Sequence, residues 1–209
     1  PLHSVAVDDT GRPLFGGFLL NYLYYYDNNA WIQIPDDMSQ LNMYSIDNID
    51  YNPNDKRFYL AGYREVFYTD KLPFVSGSSK CHMFSGFTEN GDDISSIAWN
   101  GNYNYGIMAE GHELFKIWPY SYYGNGTLKY ESIDFDTARW YYDLSWDTDG
   151  WNELGIVGSQ NSYAAYFRYY HTNPQVLDGY TSGIMAPYRA CSMKPPSSPK
   201  WLFIPFAGG

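Results

Sequence analysis

Apolar and polar residues alternate in short runs along most of the chain, and clusters of Asn, Asp, Gly and Pro break the runs. The alternation has the period of two expected of β-strands, and the breaks have hairpin chemistry. The pattern also repeats. "VAVDDTGRPLFGGFLLNYLYYYD" (Val5 to Asp27) aligns with "IDYNPNDKRFYLAGYREVFYTD" (Ile49 to Asp70) at a constant offset of 44. That alignment puts Val5 and Val7 on Ile49 and Tyr51, Leu14-Phe15 on Phe58-Tyr59, and Leu23-Tyr24 on Phe67-Tyr68. Ile97 and Trp99 follow 48 residues after Ile49 and Tyr51, and Leu144 and Trp146 follow 47 after those. A first-strand column then reads Val5, Ile49, Ile97, Leu144, each followed by a turn: "DDTG", "NPND", "NGNYN" and "DTDG". The second strand carries a small residue at Gly17, Ala61, Ala109 and Gly158, where a neighbouring sheet could come close. The third strand has Leu23, Phe67, Phe115 and Phe167 in one column. A fourth strand is expected over "WIQIP" or "LNMYS", "KCHMFSGF", "LKYESIDF" and "GIMAPYRACSM" in the successive repeats.

Repeats of 44 to 48 residues with about four short strands each predict an all-β fold, a small β-propeller. Four blades fit best, and five also fit. The expected organisation is a single domain over 1–209, with repeats at about 4–44, 45–92, 93–139 and 140–198. Residues 199–209, "PKWLFIPFAGG" from Pro199, read as a last strand that joins the first blade and closes the ring, which removes a sheet edge.

Composition agrees with strands. Aromatics make up 20% of the 209 residues, and 44% are hydrophobic, so a packed core is expected rather than disorder. The formal charge of −10 disfavours nucleic acid and anionic membrane surfaces as partners. No apolar run approaches the roughly 20 residues of a spanning helix. No leader peptide is visible, and a chain starting at Pro1 is compatible with a processed, secreted protein. The sequon at Asn125-Gly126-Thr127, in a polar turn, fits extracellular glycosylation at Asn125. The pair Cys81 and Cys191 is compatible with one disulfide or with none.

The repeats resemble known small propellers. Length and repeat number are similar to hemopexin-type domains. The "FY…LP" run from Val66-Phe67-Tyr68 to Leu72-Pro73, and the turn Asp27, Asn28, Asn29 with Trp31 after it, resemble tachylectin-type five-bladed lectins. "IDYNPNDKRFYLAGYREVFY" (Ile49 to Tyr68) resembles a blade of olfactomedin domains. The lectin resemblance implies a ring closed by strands from both chain ends.

Catalytic motifs are scarce. His3, His82, His112 and His171 fall at unrelated repeat positions, without the spacing of a metal site. No nucleophile elbow or phosphate-binding glycine loop is present. The acid pairs Asp8-Asp9, Asp92-Asp93, Glu110 with Glu113, and Asp147-Asp149 would suffice for a glycosidase. Asp9-Thr10-Gly11 and Asp147-Thr148-Asp149-Gly150, however, resemble the structural Asp-box turns of sialidase-like propellers. The expectation is a non-enzymatic domain with no cofactor.

Binding is what remains. Aromatic faces hold the C–H surface of sugars, and Asn, Asp and backbone groups hold hydroxyls. The loops after the third strands have that composition: "DNNAW", "WPYSYYGNG" and "YYHTNP". The candidate ligand residues are Asp27, Asn28, Trp31, Trp118, Tyr120, Tyr122, His171 and Asn173. The expected partners are glycans or glycoproteins, bound multivalently, with a homo-oligomer also compatible. The rival readings are a hemopexin-like scaffold for a protein, a small ligand or haem (through His112 or His171), a structural part of an extracellular assembly, and a glycosidase.

Overall fold

Among the described residues of the computed structural model every regular element is a strand except one turn of 3-10 helix at Tyr120–Tyr122. The structure describes residues 2–17, 22–35, 46–87, 91–99, 101, 104–133, 141–146, 153–158, 163–170, 173–181, 189–193 and 202–206. Side chains are described for 4–16, 22–35, 46–87, 91–99, 101, 104–133 and 144.

Four sheets follow one another, each a four-stranded antiparallel meander. Sheet one holds β1 (Leu2–Val7), β2 (Pro13–Gly17), β3 (Tyr22–Asp27) and β4 (Ala30–Pro35). Sheet two holds β5 (Ile46–Asn52), β6 (Arg57–Gly62), β7 (Glu65–Thr69) and β8 (Cys81–Met83). Sheet three holds β9 (Ile94–Trp99), β10 (Gly106–Glu110), β11 (Glu113–Ile117) and β12 (Tyr130–Ile133). Sheet four holds β13 (Tyr141–Trp146), β14 (Glu153–Gly158), β15 (Tyr163–Tyr170) and β16 (Asn173–Thr181). A fifth sheet pairs β17 (Arg189–Met193) with β18 (Leu202–Phe206). The first strands contact in series, β1 to β5, β5 to β9, β9 to β13 and β13 to β17.

Two expectations about the C-terminal part change. "GIMAPYRACSM" does not supply the fourth strand of the fourth sheet, because β16 already occupies that edge. Its RACSM portion is β17 of the fifth sheet. The strand expected to join the first repeat, β18, pairs with β17 instead.

The register also corrects the gapless alignment. Val7 pairs with Pro13, six residues on, whereas Tyr51 pairs with Phe58, seven on. The first turn of sheet two has one residue more than that of sheet one, and its β6–β7 turn has two fewer than the β2–β3 turn. Leu14 therefore matches Tyr59, and Leu23 matches Val66. A one-residue slip exchanges the two faces of a strand. Leu23 and Phe67 accordingly lie on facing sheets and meet in one cluster, with Leu14, Tyr25, Ile34, Ile49, Phe58 and Leu60. A second cluster fills the gap between sheets two and three, with Tyr59, Val66, Tyr68, Ile97, Trp99, Met108 and Phe115. The small residue opposite the first strand is missing from sheet four, where Val157 pairs with Asp143 and Gly158 with Tyr141, and is shifted by one in sheet one. It is Gly16, equivalent to Ala61 and Ala109, and a Cβ there would come within 2.9 Å of Ile46 Cδ1.

The sheets are joined by a recurring device. Each first strand carries a bulge at the same place, skipping His3, Asp47, Ser95 and Tyr142. The next residue is short and polar: Ser4, Asn48, Ser96 or Asp143. Ser4 Oγ accepts the Ile49 N–H at 2.9 Å, Asn48 Oδ1 accepts Ile97 N–H at 3.0 Å, and Ser96 Oγ accepts Leu144 N–H at 3.1 Å. Asp50 Oδ2 adds a bond from Trp99 N–H at 2.6 Å. Bulges re-aim side chains, and here they aim an acceptor at the neighbouring first strand.

Candidate functional site

The loops that carry the expected ligand residues lie at the strand ends shared with the first turns, because β1–β2 and β3–β4 reverse at the same end of a meander. In sheet one this end is held by charge. Asp8 accepts from Thr10 N and Oγ1, Arg12 N and Nε, and Tyr25 Oη. Burial alone would raise the Asp8 pKa, but the hydrogen bonds from Thr10, Tyr25 and Arg12 prevail and hold it at about 2. The turn carboxylate is therefore Asp8, not the Asp9 that the Asp-box resemblance singled out. Arg12 reaches on to Asp27 Oδ1 at 2.8 Å. Asp27 is thus half-buried and ion-paired. Asn28 and Asn29 sit at φ +49° and +59°, forming a two-residue β3–β4 hairpin turn that needs left-handed residues. Trp31 is 54% exposed, with its ring against Phe15 and Tyr26. Its cross-strand partners place it on the side of sheet one turned away from sheet two, with Val5, Val7 and Tyr22.

In sheet two, burial raises the Asp55 pKa to about 6 against the opposing pull of the Tyr59 hydrogen bond and Arg57. Tyr59 Oη donates to Asp55 and accepts the Tyr120 N–H at 2.8 Å.

In sheet three, the β11–β12 loop is anchored on sheet two. Ser85 N–H donates to Gly126 O at 2.8 Å, and Leu128 N–H donates to Ser85 O at 2.9 Å. Tyr120 packs against Tyr68 (4.7 Å) and the Arg57 guanidinium (4.5 Å), and its hydroxyl donates to Gly124 O. Tyr120 therefore fixes the loop. What the loop presents outward is Tyr122 and Tyr123, 46% and 52% exposed, beside the half-buried Trp118. Trp118 and Tyr122 centroids lie 5.9 Å apart, and Tyr122 and Tyr123 meet edge-on at 4.9 Å. Lys129 Nζ sits 4.2 Å from the Trp118 ring centre and 4.4 Å from that of Tyr122, and donates to Tyr122 Oη at 2.9 Å. That hydrogen bond is the main cause of a raised Lys129 pKa. Lys116 Nζ lies 4.9 Å from Trp118 and 4.5 Å from Tyr105. Asn125 is exposed, and its Oδ1 accepts the Thr127 N–H at 3.0 Å.

Sheet two stands between the Asp27–Trp31 hairpin and the Trp118 loop, so the candidates divide into separate places. Trp118 and Tyr122 come together; Asp27, Asn28 and Trp31 form a second group. His171 lies outside the described residues, and Asn173 begins β16 with its side chain outside them. Lys116, Lys129, Tyr105 and Tyr123 escaped the sequence reading. The available signal was strand pairing: Lys116 and Trp118 are two apart, and Trp118 N–H bonds to Lys129 O.

No family model and no curated protein matches the sequence. Solved structures do match in shape. The Cps50 (Swd1) β-propeller domain of Myceliophteria thermophila superposes with a TM-score of 0.63 at 9% identity, over 87% of this chain and 59% of that one. Virginiamycin B lyase from Staphylococcus aureus gives 0.63 at 10% identity, over 91% and 59%. A chain of the Mitotic Checkpoint Complex gives 0.62 at 10%, over 89% and 55%. The chain thus spans less than two thirds of the length of these structures. Successive four-stranded meanders joined through their first strands, together with this likeness, make the fold a β-propeller.

Proposed function

We propose that the protein binds carbohydrate, without catalysis, through the β11–β12 loop. The observation that supports this most is the cluster of the exposed Tyr122 and Tyr123 with the half-buried Trp118 on a loop already fixed by Tyr120 and Ser85. Exposed rings offer faces to sugar C–H groups, and a fixed loop loses little freedom on binding. The sequon at Asn125 and the acidic surface are in keeping with an extracellular protein.

The test is a glycan array with the full chain, followed by titration of any hit. Tyr122→Ala and Trp118→Ala should each weaken binding at least about tenfold, in line with the weight of aromatic contacts. Binding that both variants retain, or an array without a hit, would sink the proposal.

A second reading, a scaffold for a protein partner, is favoured by a different observation. Val5, Val7, Tyr22 and Trp31 share one face of sheet one and are each at least 44% exposed. Apolar faces of that kind mark protein contacts. Capture by this face would be lost in Trp31→Glu and kept in Tyr122→Ala.

A further inference from the structure

We propose that the Trp118 loop selects acidic saccharides. The Lys116 and Lys129 ammonium groups, gathered on the Trp118 indole, take the sugar's carboxylate or sulfate, and the exposed Tyr122 and Tyr123 rings take its C–H face. The inference rests on the carbohydrate reading above and adds the charge of the ligand.

Strand geometry explains why two cations share one ring. Residues two apart on extended chain point to the same face, which puts Lys116 of β11 beside Trp118, the residue that follows the strand. Lys129 stands across from Trp118 through the Trp118 N–H to Lys129 O bond of 3.0 Å. Both ammoniums therefore converge on the indole, at 4.9 and 4.2 Å from its centre, well within a Debye length of each other. The ring quadrupole holds each of them, as does Tyr105 under Lys116 and Tyr122 beside Lys129.

The charges are not taken up in ion pairs. Glu131 is opposite Lys116 in the strand register, yet among the described residues neither lysine forms an ion pair. The hydrogen bond that Lys129 makes is to the neutral Tyr122 hydroxyl. Two ammoniums against the one nearby carboxylate of Glu131 leave local positive potential that an anion would relieve. The lysines also occupy surface of the Trp118 ring, so Tyr122 and Tyr123 are the rings left open to a ligand. An anionic group beside a C–H face is the chemistry of an acidic sugar. The Asp27–Trp31 hairpin is the opposite case, since Arg12 is already spent on Asp8 and Asp27.

The test uses the full chain and calorimetric titration with 3′-sialyllactose (carboxylate), 6-sulfo-N-acetylglucosamine (sulfate), lactose and N-acetylglucosamine (their neutral counterparts), and sodium sulfate. At least one acidic sugar should bind about tenfold more tightly than its neutral counterpart, as charge-assisted contacts do, and added salt should erode the difference. Comparing the two acidic sugars tells carboxylate from sulfate. Lys129→Ala should weaken binding of the acidic sugar more than binding of its neutral counterpart and so remove the preference, and Lys129→Arg should keep it. Unaltered circular dichroism of these variants shows that the fold is intact. Equal binding of acidic and neutral sugars overturns this inference and leaves the carbohydrate reading standing. Sodium sulfate binding as tightly as the acidic sugars overturns it in favour of a bare anion site. Binding of none of the sugars overturns both.

Discussion

Asp8 and Asp55 occupy first turns of neighbouring sheets, and their carboxyls respond to burial in opposite ways. Asp8 receives five hydrogen bonds and is held at a pKa of about 2, below the usual 3.8. A depressed folded value means that its stabilisation is present above pH ~4 and lost as pH falls toward ~2, an effect on the order of 2 kcal/mol. Asp55 keeps its proton in the folded state up to about pH 6, against 3.8. The folded state then binds the extra proton, so this group's contribution declines as pH rises from ~4 to ~6 and is level above that. Denaturant unfolding across pH should separate the two. Asp8→Asn should flatten the acid limb below pH ~4, and Asp55→Asn the decline between ~4 and ~6. A decline between pH ~4 and ~6 that survives in Asp55→Asn would disprove its assignment.

Between elements, the bulge and the short polar residue after it form one unit. Ser4, Asn48 and Ser96 each satisfy a backbone N–H on the next first strand that would otherwise face packed sheets. Asn48→Ala should cost about 1–2 kcal/mol, because it leaves the Ile97 N–H unpaired, and Asn48→Ser should recover part of that. Thermal unfolding of the pair of variants decides, and equal stability of Asn48→Ala and wild type would refute the role. This column was visible as Ser, Asn, Ser, Asp directly before the apolar one, but polarity at a strand start carries no sign of the N–H it will meet. Strand identity was legible because alternation and Asn/Asp/Gly turns are local. The register was not, because an extra residue such as the one between Tyr51 and Phe58 is absorbed by the turn. Tyr120 shows the same limit at the candidate site. Its sequence neighbours suggested a ligand contact, while Arg57 and Tyr68, more than fifty residues away, give it an anchoring place.

For the whole molecule, the open question of energetics is the face of sheet one turned away from sheet two. Val5 and Val7 are 54% and 55% exposed there, while the column mates of Val5, Ile49 and Ile97, are 4% and 1% exposed and those of Val7, Tyr51 and Trp99, are 8% and 3% exposed. Val7→Thr should therefore change stability by less than about 0.5 kcal/mol, whereas a valine packed under another sheet would cost more than about 1 kcal/mol. Chemical denaturation measures this, and a loss of the larger size would show the face to be covered in solution.

The period of two, the turn residues and the repeat length sufficed, without coordinates, to indicate strands, four-stranded repeats and a propeller, since each follows from the local preferences of neighbouring residues. Tertiary structure alone decided which faces meet, that Gly16 rather than Gly17 allows close approach, that β18 pairs with β17, and that two lysines gather on Trp118. Those outcomes depend on the pairing of residues distant along the chain, and a shift of one position exchanges the two faces of a strand.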